Sequence, residues 1–145
     1  MYRYEQNLVD DFLKSLHKSK FAHGDTHYIT EFNYSRGKTD IVILNNNSEI
    51  IAIEAKLKRW RDALDQAYRN TCFAHYNYVL VPERVALTAQ KYLAEFTKRS
   101  VGICFISDGI IQIAYEAKQN KPLQQWLNDR AIQTILNGEA NVRIH

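Results

Sequence analysis

The chain has 145 residues, 46% hydrophobic and 24% charged, with a net charge of +3. Those proportions exclude a disordered, collagen-like or low-complexity chain, and no apolar run reaches the ~20 residues of a membrane-spanning helix. One soluble domain over 1–145 is expected, and its small positive balance permits an anionic partner without requiring one. The opening MYRYEQNLVDD lacks the apolar stretch of a secretory signal. Cys72 and Cys104 sit in apolar or helical surroundings and read as buried free thiols, which suits a reducing cytoplasm.

In chain order, residues 3 to about 18 read as a helix, with Leu8, Val9, Phe12, Leu13 and Leu16 at helical spacing. Glu5 precedes Leu8, Val9 and Phe12 by three, four and seven residues, so it falls on the inward face. A first-turn acid suits the helix dipole, but the dipole does not explain an inward direction. His23-Gly24-Asp25-Thr26 is a turn signal. Residues 27–34 then read as a strand with Tyr28, Thr30, Phe32 and Tyr34 on one face and Ile29, Glu31 and Asn33 on the other.

Residues 38–58, KTDIVILNNNSEIIAIEAKLK, read as a hairpin: a strand over about 38–44, a turn at 45–47 and a strand over about 48–57. Residues 59 to about 73 read as a helix whose inward stripe is Trp60, Ala63, Leu64, Ala67, Tyr68 and Thr71, flanked by Gln66. NYVLVP, about 76–81, is apolar on both faces, as a central covered strand is. A helix over 83–99 follows, with Ala89, Tyr92, Leu93 and Phe96 inward. Asp108-Gly109 joins strands 101–107 and 109–117. Pro122 opens a last helix to about 136, with Leu123, Trp126, Leu127 and Ile135 inward; Gly138 ends it, and 139–145 reads as a flexible tail. The order α-β-β-β-α-β-α-β-β-α implies an α/β fold, a mixed sheet with helices on both faces.

The hairpin holds the anomaly. Asp40 stands among apolar residues of the first strand, and Glu54 and Lys56 interrupt the run IIAIEAKL of the second. Such charges in buried strands are costly unless paired or bound to a metal. If Asn45-Asn46-Asn47 is the turn and Leu44 opposes Ser48, Asp40 lies opposite Ala52. Glu54 is then its diagonal neighbour on the same face, ~7 Å away. A slip by one residue would put Asp40 on the other face from Glu54 and Lys56. Two converging carboxylates suit Mg²⁺ or Mn²⁺, and a lysine beside them orients or deprotonates a water, or stabilises charge on a phosphate. Arg36, Lys38, Lys58, Arg59 and Arg61 bracket both ends of the hairpin, a basic rim suited to a polyanion.

The pattern Asp40…Glu54-Ala55-Lys56 resembles the PD-(D/E)xK nuclease superfamily, which includes many restriction enzymes and Holliday-junction resolvases. The likeness extends over about residues 3–82. Glu5 matches the acid of the first helix in that family. Gln66, in ALDQAYRN, matches a glutamine that points into the site, and NYVLVP matches the next core strand. One subgroup carries a tyrosine four residues after that glutamine; this chain has Asn70 there.

The resemblance implies a restriction-endonuclease-like αβββαβ core with an extra C-terminal hairpin and helix as peripheral additions over about 83–138. It implies Mg²⁺ (or Mn²⁺) held by Asp40, Glu54 and the Ala55 carbonyl, with Glu5 assisting the metal or its water shell. Lys56 would activate the water and Gln66 would position substrate or solvent. The activity implied is metal-dependent hydrolysis of DNA by an endonuclease, in small members often a homodimer. The alternative is a catalytically silent nuclease-fold subunit for nucleic-acid binding or assembly. Other features carry less. Cys72 and His75 supply too few ligands for zinc, His23 and His27 flank a turn, and no Gly-rich phosphate loop is present.

Overall fold

The structure is a computed structural model that describes residues 2–22, 26–35, 37–138 and the backbone of 142–144. Helix α1 (Glu5–Ser15) precedes three antiparallel strands, β1 (Thr26–Tyr34), β2 (Gly37–Leu44) and β3 (Ile50–Ala55). Helix α2 (Trp60–Arg69) crosses to β4 (Tyr76–Leu80), which lies parallel to β3. Helices α3 (Glu83–Ala89) and α4 (Leu93–Thr97) cross to β5 (Val101–Ser107), parallel to β4. Strand β6 (Ile110–Tyr115) turns back antiparallel, and helix α5 (Gln125–Leu136) follows. The sheet order is β6-β5-β4-β3-β2-β1-β7, where β7 (Val142–Ile144) is a short edge strand on β1. Residues 142–144 are therefore paired, where a flexible tail is expected; 139–141 and 145 lie outside the described residues.

The fold is α/β, with a mixed sheet covered on both faces. Leu8, Val9, Phe12 and Leu16 bring α1 onto Ile41, Ile43, Ile51 and Ile53. The opposite face carries two adjoining cores. Leu127, Ala131 and Ile135 of α5 cover Val42, Leu44, Ile50 and Ala52. Trp60, Ala63, Leu64 and Ala67 of α2, with α3 and α4, cover Val79 and Ile103. β4 is buried on both sides, as its apolar run predicts.

Several expectations of face and boundary are corrected. α5 begins at Gln125, not at Pro122, so Leu123 is 87% exposed and Trp126 59%, while Ala131 and Asn128 turn inward. The expected helix over 83–99 breaks into α3, a 3-10 turn at Gln90–Tyr92 and α4, which leaves Tyr92 exposed. Tyr68 on α2 is also exposed. In β1, Ile29, Phe32 and Tyr34 share one core, although Ile29 and Phe32 are three residues apart. The alternation switches at Glu31, whose φ of 55° leaves the strand region. The expected turn at Asp108-Gly109 forms, with both residues at positive φ and Ser107 opposite Ile110.

Candidate functional site

The hairpin is present with a register two residues from the expected one. Leu44 pairs with Ile50 and Val42 with Ala52, so the register carries Asp40 opposite Glu54 rather than Ala52. The side chain of Asn45 sets this longer turn. Its Oδ1 accepts the N–H groups of Asn47 and Glu49, both at 2.9 Å, and the Asn45 backbone N–H donates to the Glu49 carbonyl. A shift of two preserves parity.

The ladder between β2 and β3 ends at Ile41–Ile53, and the acids sit where the strands part. There the Asp40 carboxylate takes the place of a backbone acceptor: its Oδ2 accepts the Ala55 N–H at 2.8 Å. Asp40 also lines a polar cavity of about 210 Å³ with Glu5, Gln6, Thr30, Glu31 and Lys38.

Glu54 is 2% exposed. Burial pushes its carboxyl up to about 8, the nearby Asp40 charge adds to the rise, and a hydrogen bond from Asn70 opposes it. That bond runs from Asn70 Nδ2 to Glu54 Oε2 at 2.7 Å. Asn70 Oδ1 in turn accepts the Tyr34 hydroxyl at 2.6 Å and the Thr39 hydroxyl at 2.9 Å. The Tyr34 hydroxyl is pushed up to about 12, chiefly by burial, and so stays protonated and able to donate.

Lys56 follows the end of β3, and its backbone N–H donates to the Leu80 carbonyl. Its ammonium lies 3.8 Å from Glu5 Oε2, so the first helix reaches the hairpin through this pair. Gln66 is half-buried on α2 and makes no hydrogen bond to Asp40, Glu54 or Lys56 among the described residues.

The basic residues divide. Lys38 pairs with Glu31 at 3.0 Å and Arg59 with Asp62 at 2.9 Å, both at the surface, and Lys58 is exposed. Arg61 lies over the rings of Trp60 and Tyr92, 4.2 and 4.7 Å from their centroids, and pairs with Glu95. Arg36 lies outside the described residues, as does His23. The structure thus brings Asp40 and Glu54 together and sets Lys56 beside Glu5. It commits Arg61 to its own chain.

The sequence reading passes over the part played by Asn70 and Thr39. A readable signal exists: Asn70 follows Ala63 and Ala67 by seven and three residues, on the inward stripe of α2, where periodicity calls for an apolar side chain. Elsewhere, Cys72 and Cys104 are buried, and His75 Nδ1 accepts the Ile50 N–H, a structural role. Among the described residues there is no group of three or more His, Cys, Asp or Glu placed to hold a metal ion, and no helix is long and apolar enough to cross a membrane.

No family model matches the chain, and no curated protein matches it. Among solved structures the chain is similar to a protein of unknown function from Silicibacter pomeroyi. The match has 19% identity and a TM-score of 0.64, and covers 94% of this chain and 86% of that one. At that identity the likeness concerns the fold alone.

Proposed function

We propose that the chain is a Mg²⁺-dependent nuclease of the PD-(D/E)xK type that hydrolyses DNA phosphodiester bonds, with a restriction-endonuclease-like core. The observation that carries this reading is the meeting of Asp40 and buried Glu54 where β2 and β3 part. Neither carboxylate has an ion-pair partner among the described residues, while burial first and Asp40's charge second raise Glu54's proton affinity. Two carboxylates so placed repel each other once both are ionised, and either a proton on Glu54 or a bound cation relieves that repulsion.

The donor set fits Mg²⁺, which takes few protein ligands and keeps much of its water. Asp40, Glu54 and the Ala55 carbonyl would hold it. When bound, the ion supplies Lewis acidity toward a phosphate and a water nucleophile near neutral pH. Lys56 orients that water and stabilises charge on the phosphate, and Glu5 keeps the ammonium at the mouth of the site. Gln66 is the candidate for positioning substrate or solvent. Lys38, Lys58 and Arg59 draw the polyanion to the rim. A homodimer would set two such sites against two strands.

Incubation of supercoiled and linear DNA with the protein and Mg²⁺ tests the reading. Cleavage is expected to need the metal, and to vanish in Asp40→Ala and Lys56→Ala variants that remain folded. Binding without cleavage by the wild type would instead favour a silent nuclease-fold subunit. Neither binding nor cleavage would sink both.

A further inference from the structure

We propose that Asn70 is a positioning residue for Glu54: its carboxamide, held by the hydroxyls of Tyr34 and Thr39, fixes the direction in which Glu54 meets a divalent cation. The inference rests on the metal-dependent reading above and adds a residue outside its motif.

The geometry leaves the amide one polarity. A carboxamide oxygen has two lone pairs and its nitrogen two N–H groups. Oδ1 of Asn70 receives two hydroxyls, from Tyr34 on β1 and Thr39 on β2. Nδ2 is thereby left to face Glu54 Oε2. A flipped amide would give up both hydroxyl donors at Oδ1 and set a carbonyl against Glu54 once that group is ionised. Each anchor is itself held. Thr39 is fully buried within β2. The ring of Tyr34 stacks on Phe32 and meets Phe73 edge-on, at centroid distances of 6.0 and 5.2 Å. The Asn70 backbone carbonyl accepts the N–H groups of Phe73 and Ala74, which fixes the turn after α2.

Two strands therefore hold the amide that donates to one oxygen of the Glu54 carboxyl, and Oε1 of Glu54 is left uncommitted to Asn70. A carboxylate held by one oxygen has lost a rotation that an incoming cation would otherwise have to freeze. Loss of such an outer partner typically weakens metal binding about 10- to 100-fold.

Calorimetric titration of Mn²⁺ into the full chain, without DNA, tests this. Asn70→Ala is expected to weaken Mn²⁺ binding about tenfold or more. The double variant Tyr34→Phe with Thr39→Val keeps shape and removes both anchors, so it is expected to weaken binding in the same direction. Should Asn70→Ala fail to fold, the double variant decides. Thr39→Ser, which restores a hydroxyl, is expected to restore affinity when set beside Tyr34→Phe. A merely structural role would lower the urea midpoint and leave the Mn²⁺ affinity of the folded protein unchanged. Folded variants that bind Mn²⁺ as the wild type does would overturn the positioning role alone. A wild type that binds no Mn²⁺ would overturn the metal reading and this inference with it.

Discussion

Replacing Glu54 with glutamine separates the charge of that side chain from its shape. The carboxyl titrates near 4.5 in an unfolded chain and is pushed up to about 8 in the fold, by burial first and by Asp40 second. The folded state therefore keeps a proton that the unfolded chain releases above pH 4.5. The stability this contributes is complete below about 4.5, falls as pH rises, and is gone above about 8. At about 1.4 kcal/mol per pKa unit, the loss between pH 5 and 8 is on the order of 4 kcal/mol. Glutamine has no such titration. Its oxygen still accepts from Asn70, and its amide donates toward Asp40. Urea unfolding in EDTA across pH 5–8 is the assay. His75 works in the opposite direction, because burial lowers its pKa and it destabilises as pH falls. The difference between wild type and Glu54→Gln cancels that contribution. The variant is expected to gain on the wild type steadily from pH 5 to 8 and to be the more stable protein at pH 8. A difference that stays constant over that range would refute the reasoning.

Other outcomes follow from the same structure. Mg²⁺ added at pH 8 is expected to stabilise the wild type, by about 2.7 kcal/mol at a hundred times its Kd, and to leave Glu54→Gln largely unmoved in thermal melts. Gly102→Ala places a Cβ 2.5 Å from the Tyr115 carbonyl oxygen and 2.6 Å from the Ala117 nitrogen, both backbone atoms. Its urea unfolding is expected to show a loss of about 3 kcal/mol or more, and a loss below 1 would contradict the geometry. Asn45→Ala removes two hydrogen bonds to turn N–H groups, and chemical denaturation is expected to show about 1–2 kcal/mol less stability. Lys58→Ala is expected to weaken DNA binding on all sequences and to reduce the salt slope by about one, in titrations at several salt concentrations. Arg61→Ala, by contrast, is expected to lower the urea midpoint and leave that slope unchanged, since its guanidinium is spent on Trp60, Tyr92 and Glu95.

Most of the architecture was legible because periodicity reports burial. The stripe of α1, the two-sided apolar run of β4 and the Asp108-Gly109 turn all form as their patterns predict. What misled were places where a local interaction overrides the period. Asn45 caps its own turn and moves the register by two, so Asp40 lands opposite Glu54 and not Ala52. Glu31 enters the left-handed region and rotates the rest of β1, which puts Ile29 and Phe32 in one core. The chain before α5 stays non-helical to Gln124, whose N–H donates to the Cys72 carbonyl. That anchor delays the helix past Leu123 and turns Trp126 outward. None of these events changes composition or hydrophobic count, so a pattern of apolar residues does not register them.

The candidate site divides along the same line. Charges in apolar strands announce themselves, and Asp40, Glu54 and Lys56 stood out on that ground alone. A neutral amide does not, because its worth depends on partners far along the chain: Tyr34 and Thr39 lie 36 and 31 residues from Asn70, and Glu54 lies 16. The stripe of α2 still held a clue, since Asn70 occupies an inward place where Ala63 and Ala67 lead. An amide in such a place is stable only if its donors and acceptor are met. The buried group that most needs a donor there is Glu54, and an ionised carboxylate accepts a neutral N–H without being neutralised by it. Asn70 therefore steadies Glu54 without supplying a countercharge, as a lysine in the same position would.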